Sequence, residues 1–218
     1  MESSTVERPS SCRNMMVWEQ KEVIAKGIVA KPKAFLDGWR RAVEGCMKTK
    51  QRSNVLASWK RPEVGRLKLN TDASIGDGNI CGLGWVVRDS EGRFIAGGVD
   101  KWYGSSPKVA EALAIREALS WLKQSGWDYI NVESDALQVI SSINSGSDGS
   151  LSGVIIDDIR DMSTSFTSIY FTHMKRSANR VAHDLARAVV SMCDRYVWLY
   201  HFPTCISVSL DHDLINDN

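Results

Sequence analysis

The sequence predicts an α/β fold, with a five-stranded mixed sheet flanked by helices, on three observations. Between Arg66 and Trp102, three successive strand-like stretches, the first with alternating apolar and polar residues, are separated by turn residues, which is typical of an antiparallel meander. An apolar stripe with helical spacing then runs from Ser106 to Gln124. Beyond it, short apolar stretches alternate with helical patterns, which favours strands paired in parallel and joined by helices.

The predicted meander has three strands. The first includes Leu67–Asp72 (LKLNTD), where apolar and polar side chains alternate with the period of two of a half-buried strand. The next two, Cys81–Arg88 and Arg93–Trp102, are joined by Asp89–Gly92, which has the length of a hairpin connection and ends in glycine.

Helices and further strands follow the meander. A helix is predicted from Ser106 to about Gln124, because Ser106-Pro107 supplies a cap and a first-turn proline, and Gly126 ends it. The remaining elements are a strand at Tyr129–Val132, a helix through Leu137, Ile140 and Ile143, a helix through Leu151, Ile155, Ile159 and Met162, a strand at Ile169–His173 and a helix at Ala178–Val190. The order is therefore β-β-β-α-β-α-α-β-α.

Three zones divide the 218 residues. Residues 1–63 form an N-terminal extension, in which Lys31–Lys50 has the spacing of one amphipathic helix; its basic residues are either a solvated face or phosphate contacts. Residues 64–190 form the domain. Residues 191–218 form a C-terminal tail that we expect to pack Trp198, Phe202 and Leu210 on the domain.

Composition excludes several classes of protein. No apolar run approaches the ~18 residues of a membrane span, and the N-terminus has no apolar segment typical of a secretory signal. The five scattered cysteines predict neither a disulfide framework nor a zinc site. We therefore expect an intracellular protein, in either nucleus or cytoplasm, without a membrane partner. We also expect a monomer. The net charge of +1 means that any nucleic-acid binding depends on a local patch.

Three acidic residues occupy the ends or beginnings of predicted elements. Asp72 lies late in the first strand, Glu111 in the first turns of the long helix, and Asp135 just after the fourth strand. Convergent carboxylates suit Mg²⁺, which prefers oxygen ligands. Asp135 could instead form a capping box with Gln138, and Glu111 could be an acid favoured near a helix N-terminus. Asp72 is harder to explain structurally, because aspartate is disfavoured in strands.

Four segments resemble the signature segments of type 1 ribonuclease H, in the same order and spacing. They are Asn70–Ser74 (NTDAS), Ala110–Leu119 (AEALAIREAL), Glu133–Ala136 (ESDA) and Asn179–Arg187 (NRVAHDLAR). With Lys68–Ala73 (KLNTDA) and Ala182-His183, the sequence is most similar to the reverse-transcriptase-like ribonuclease H domains of plant retroelements. The resemblance implies a ribonuclease H-like fold and metal-dependent cleavage of the RNA strand of RNA–DNA hybrids.

The resemblance also implies a site with two ions, Mg²⁺ or Mn²⁺. Asp72, Glu111 and Asp135 would bind metal, and His183 stands where the classical enzymes have a fourth aspartate. A neutral imidazole suits Mn²⁺ better than Mg²⁺, so His183 as a ligand would favour manganese. Asp184 cannot replace the missing carboxylate, because one helical step rotates a side chain by ~100°. Alternatively, His183 is a helix histidine that only caps or hydrogen-bonds nearby.

The segment before the last helix holds further candidates. His173 precedes His183 by ten residues, the spacing of the family's catalytic loop histidine, although a partly buried structural histidine also fits the end of a strand. By the resemblance, Arg176 and Asn179 brace this loop and touch the substrate backbone, while a cap is the other role open to Asn179. Ser74 and Arg180 are further candidates for nucleic-acid contact. The alternative function is a catalytically weak or inactive nucleic-acid-binding remnant of a retroelement reverse transcriptase.

Overall fold

The structure, a computed structural model, describes residues 57–146, 150–189 and 195–217. Within them the strands are β1 (Leu67–Ile75), β2 (Ile80–Arg88), β3 (Phe94–Tyr103), β4 (Tyr129–Ser134), β5 (Ser168–His173) and β6 (Arg195–Leu199). The helices are α1 (Pro107–Gln124), α2 (Leu137–Ser145), α3 (Leu151–Ser163), α4 (Arg180–Ala188) and α5 (Ser207–Ile215), and one-turn 3₁₀ helices lie at Asp77–Asn79, Arg176–Ala178 and Thr204–Ile206. The helix predicted within Lys31–Lys50, with its basic residues, lies outside the described residues.

The described part of the sheet has six strands, in the order β5-β4-β1-β2-β3-β6. Pairing is antiparallel among β1, β2, β3 and β6, and parallel among β1, β4 and β5, so the predicted mixed sheet and the order of elements from β1 to α4 are confirmed. The predicted number of five strands is wrong. The tail supplies β6, which pairs with β3 through Gly97 and Trp198 and so covers an edge that would otherwise expose unpaired backbone groups.

Helices cover both faces of the sheet, as the alternation of side chains in β2 illustrates. Trp85 and Val87 point into a core shared with α1, α2 and α3, whereas Val86 points into a second core with α4 and α5. Of the tail residues expected to pack, Trp198 contacts this second core, Leu210 is buried in it, and the ring of Phe202 lies 5.9 Å from that of Phe94. No described helix has the length and apolarity needed to cross a membrane.

Two glycines in β2 let helix α4 approach the sheet closely. A Cβ atom at Gly84 would overlap the backbone nitrogen of Ala186 and lie 2.7 Å from the carbonyl oxygen of Ala182, and one at Gly82 would also overlap the helix backbone. Any larger side chain would push the helix away. Because Gly84 pairs with Asp72 in β1, this contact fixes α4 beside the strand that carries the first candidate carboxylate.

A buried arginine joins the two ends of the described chain to the sheet. Arg88 donates to Asp213 of α5 at 2.7 Å and to the Asn70 side chain of β1 at 2.9 Å, and both charged groups are at most 2% exposed. Its guanidinium stacks 3.6 Å above the ring of Trp59, whose Nε1 donates to the same Asn70 oxygen. The segment before β1 and the last helix are therefore part of the structure that holds β1.

We expect Arg88→Met to lower the free energy of unfolding by about 3–5 kcal/mol, because it leaves the Asp213 carboxylate buried without its cation. The matched control is Arg93→Met in the same hairpin, where the arginine side chain is 65% exposed and its ion pairs lie at the surface. The control should leave the urea midpoint nearly unchanged. Equal losses in the two variants, measured by urea denaturation, would contradict a structural role for the buried pair.

Candidate functional site

The candidate site lies where the sheet splits between β1 and β4. Thr71 and Ser134 are the last residues paired between these parallel strands, while β1 continues beside β2 as far as Ile75. Asp72 and Asp135 come directly after this last pair. Because no ladder joins β1 and β4 beyond it, side chains from both faces of the sheet can meet in the opening.

Three carboxylates converge at this split. Asp72, Glu111 and Asp135 each offer an oxygen, and these atoms all lie within 4.8 Å of one another. Glu111 projects from α1 and accepts a hydrogen bond from the backbone N–H of Ala73. The set consists only of hard oxygen donors, which is the chemistry of a Mg²⁺ or Mn²⁺ site.

The structural alternatives for two of these acids are wrong. Glu111 lies beyond the first turn of α1, which contains no acidic residue, so it is not an acid placed for the helix dipole. Helix α2 has Ala136 at its N-cap and no side-chain cap, so Asp135 does not form a capping box with Gln138. Both carboxylates instead face the split.

Burial and the neighbouring negative charges raise the pKa of two of these groups, Glu111 and Asp72. Removal from water, followed by the charges of Asp72 and Asp135, raises the pKa of Glu111 to about 9. Burial also raises the pKa of Asp72, an effect that the hydrogen bond and charge of His183 partly offset. One oxygen of Glu111, Oε2, is buried and has no hydrogen-bond partner among the described residues. The cluster is therefore a place where positive charge would be stabilised.

Asn179 joins the two sides of the split. Its amide nitrogen donates to the Thr71 carbonyl at 2.8 Å and to Asp135 Oδ1 at 3.3 Å. It occupies the N-cap position of α4 without making a side-chain cap, so the cap role considered from the sequence is wrong. With 1% of its surface exposed, Asn179 has almost no side-chain area to offer a nucleic acid, and its position favours a role in holding Asp135 beside β1.

His183 lies at the fourth corner of the site, the place where the resemblance implies a fourth ligand. It does not belong to the group of three converging carboxylates. Its Nδ1 is 2.7 Å from Asp72 Oδ2, and its Nε2 is 3.4 Å from the Arg176 guanidinium. The next residue, Asp184, accepts a hydrogen bond from Ser209 of the last helix region and is turned away from the site, as helix geometry requires.

The other predicted residues surround the split. His173 ends β5 and is paired in register with Ser134, the residue before Asp135; it is exposed, not partly buried as the structural alternative supposed. Arg176 is exposed in the turn before α4, Arg180 is half-buried in the first turn of α4, and Ser74 is half-buried near the end of β1. Apart from buried Asn179, these predicted contact residues retain accessible surface.

Sequence reasoning gave no role to Asn70, whose side chain holds β1 and β4 together just before the candidate carboxylates. Its oxygen accepts from Trp59 and Arg88, and its nitrogen donates to Glu133 of β4 at 3.1 Å. Asn70 thus ties β1 to β4 two residues before Asp72 and Asp135. The available signal was an asparagine in the middle of a strand, where this residue type is disfavoured unless its amide has partners.

Comparisons with known proteins agree on this region. The family model described as reverse transcriptase-like matches residues 70–189. The solved ribonuclease H1 of the halophilic archaeon Halobacterium salinarum is 25% identical, with a TM-score of 0.53, and the match covers 58% of this chain and 98% of that one.

Two further solved structures show similarity of fold. The N-terminal ribonuclease H domain of rv2228c from Mycobacterium tuberculosis is 18% identical, with a TM-score of 0.50, over 57% of this chain and 96% of that one. LC11-RNase H1, from compost and solved with an RNA/DNA hybrid, is 19% identical, with a TM-score of 0.50, over 56% of this chain and 94% of that one. No curated protein sequence matches the chain.

We expect Glu111→Gln to stabilise the metal-free protein at pH 8 by about 1–2 kcal/mol, or a few degrees in Tm. The raised pKa of Glu111 means that the folded state holds a proton that the unfolded state releases above its ordinary pKa. Wild-type stability should therefore fall as the pH rises from about 4.5 towards 9, a loss that glutamine abolishes.

The measurement is a set of thermal melts with a chelator at several pH values. Glu91→Gln, on an exposed hairpin, is the control and should follow the wild type throughout. If the Tm of Glu111→Gln changed with pH in parallel with that of the wild type, the raised pKa of Glu111 would be contradicted.

Proposed function

This chain belongs to the reverse transcriptase-like family and has a ribonuclease H-like fold, and we propose that it is a metal-dependent endonuclease that cleaves the RNA strand of RNA–DNA hybrids. The observation that carries the proposal is the convergence of Asp72, Glu111 and Asp135 at the split between β1 and β4. The RNA/DNA hybrid bound to LC11-RNase H1 indicates the class of substrate.

The residues of the cluster suit a divalent ion. Their donors are all carboxylate oxygens, and the partnerless Oε2 of Glu111 is a buried acceptor that an ion would satisfy. Mg²⁺ or Mn²⁺ bound there would supply an acidic water for attack and neutralise charge on the phosphate. The resemblance implies a pair of ions. The three carboxylates are enough to bind one ion, and binding of a second depends on whether His183, at the fourth corner, can act as a ligand.

The protein groups around the cluster would hold the substrate. Asn179 keeps Asp135 in place, and exposed Arg176 stands at the mouth of the split, where a guanidinium would bind a phosphate of the hybrid. Ser74, near the end of β1, and Arg180, in the first turn of α4, would add contacts to phosphate or to a 2′-hydroxyl, the group that distinguishes RNA from DNA. Binding through so few cations should weaken steeply as salt rises.

His173 is suited to a role in proton transfer or product departure. It is exposed at the end of β5, where it pairs with Ser134, the residue that directly precedes Asp135. An imidazole can both accept and donate a proton. Its place at the rim, not inside the cluster, favours contact with a substrate over contact with an ion.

A second candidate function is hybrid binding without effective cleavage, as in a remnant of a retroelement reverse transcriptase. The specific observation behind it is His183, which stands at the fourth corner and is hydrogen-bonded to Asp72. An imidazole there supplies no negative charge to balance a metal ion, whereas an aspartate would. The two functions differ in whether bound hybrid is cut.

We expect the purified chain to cut the RNA strand of a labelled RNA–DNA hybrid with Mg²⁺ or Mn²⁺, and Asp72→Asn to reduce the rate at least about 100-fold, or about 2.7 kcal/mol of barrier. Asparagine keeps the volume but removes the ligand charge, so the Tm should change little. The matched control is Asp161→Asn on α3, an exposed aspartate outside the site, which should cleave at the wild-type rate.

Fluorescence anisotropy with the same hybrid distinguishes the two candidates. Binding without cleavage by the wild type would favour the remnant and overturn the enzyme. Equal cleavage by Asp72→Asn and the wild type would overturn the assignment of the site.

A further inference from the structure

The fourth corner of the site is already occupied by protein groups. Arginine carries only donors, so the contact between Arg176 and His183 makes Nε2 the acceptor and leaves Nδ1 to donate its proton to Asp72 Oδ2. Both ring nitrogens are therefore engaged. Among the described residues, the group of converging donor atoms contains only the three carboxylates, and neither ring nitrogen of His183 belongs to it.

Charge also limits the number of ions. When a cation is bound the three carboxylates are ionised, and together with the nearby Arg176 guanidinium they sum to two negative charges, which balance one divalent cation. A fourth carboxylate would add one more negative charge towards a second cation. Asp184 cannot add the missing charge, because it faces Ser209 on the other side of the helix.

Close packing of helix α4 on β2 fixes the position from which His183 reaches Asp72. A Cβ atom at Gly82 or Gly84 would overlap the α4 backbone, so these two glycines allow the helix to lie this close to the sheet. His183 is thus held at the distance that its hydrogen bond to Asp72 requires. A histidine that donates to a metal-binding carboxylate orients that ligand, a function with known effects on metal affinity.

We propose that this site binds a single divalent ion through Asp72, Glu111 and Asp135, and that His183 is a positioning residue that orients Asp72 and does not ligate a second ion. The inference rests on the proposed function and departs from the two-ion site that the resemblance implies. It also removes the reason to expect a preference for manganese, since no imidazole nitrogen reaches the ion.

The test is to count and characterise bound Mn²⁺ on the full chain. Titration calorimetry and electron paramagnetic resonance should give one Mn²⁺ per wild-type chain, and pulsed spectra should contain no coupling from a coordinated imidazole nitrogen. His183→Asp, which supplies a fourth carboxylate on the same helix face, should bind a second Mn²⁺. Circular dichroism verifies that each variant is folded.

Two further variants separate positioning from ligation. His183→Ala removes the donor to Asp72 and should weaken binding of the single ion by about tenfold. His183→Asn retains an N–H donor and should recover most of that affinity without changing the count of one.

Two bound ions in the wild type, or a coordinated imidazole nitrogen that disappears in His183→Asn, would overturn this inference and leave the proposed enzyme standing. Equal Mn²⁺ affinity in His183→Ala and the wild type would also overturn the positioning role. Absence of Mn²⁺ binding in the wild type would overturn the metal site and, with it, the proposed function.

Discussion

The crowding of three carboxylates, one buried and two half-buried, is the constraint that the surrounding structure has to satisfy. Asp72, Glu111 and Asp135 meet where β1 and β4 separate, and burial together with like charge raises the pKa of Glu111 and of Asp72. Donor groups and a positive charge from one short stretch of chain partly compensate this negative charge. Asn179 donates to Asp135, and His183 donates to Asp72, while the positive charge of Arg176 lies close enough to act on Glu111. A cation bound in the split would complete this compensation.

The geometry of the split depends on contacts well outside it. Gly82 and Gly84 bring α4 against β2, and this contact sets the position of His183. Behind the site, Asn70 joins β1 to β4 and is itself held by Trp59 and by Arg88, which pairs with Asp213. Trp59 and Asp213 both lie outside residues 70–189, the region shared with the family. The segments on either side of that region therefore contribute to the placement of the carboxylates, and a chain reduced to the shared region would lose this support.

Local patterns predicted the elements from β1 to α4, because periodicity, caps and turn residues are properties of neighbouring residues. The strand Arg195–Leu199 was missed because its five residues carry no turn signal and become a strand only by pairing with distant β3. The three carboxylates could be proposed from their places at element ends and from the resemblance. The bond between His183 and Asp72 could not, because it joins residues 111 positions apart and depends on how closely α4 packs. The same holds for Asn179, whose partners belong to β1 and to the end of β4.

The replacement of a fourth aspartate by His183 does not by itself argue for a dead enzyme. A protein that only keeps a fold gains stability from neutral or apolar residues at buried positions, whereas three carboxylates in mutual contact reduce stability unless something positive binds among them. The raised pKa of Glu111, and its buried oxygen without a hydrogen-bond partner in the described part of the chain, therefore favour the proposal that a cation binds at this site. His183 reduces the repulsion that a fourth anion would add and at the same time fixes the orientation of Asp72. If the site holds one ion as proposed, histidine in place of aspartate would change the number of ions that the site takes and would leave Asp72, Glu111 and Asp135 available to bind that one.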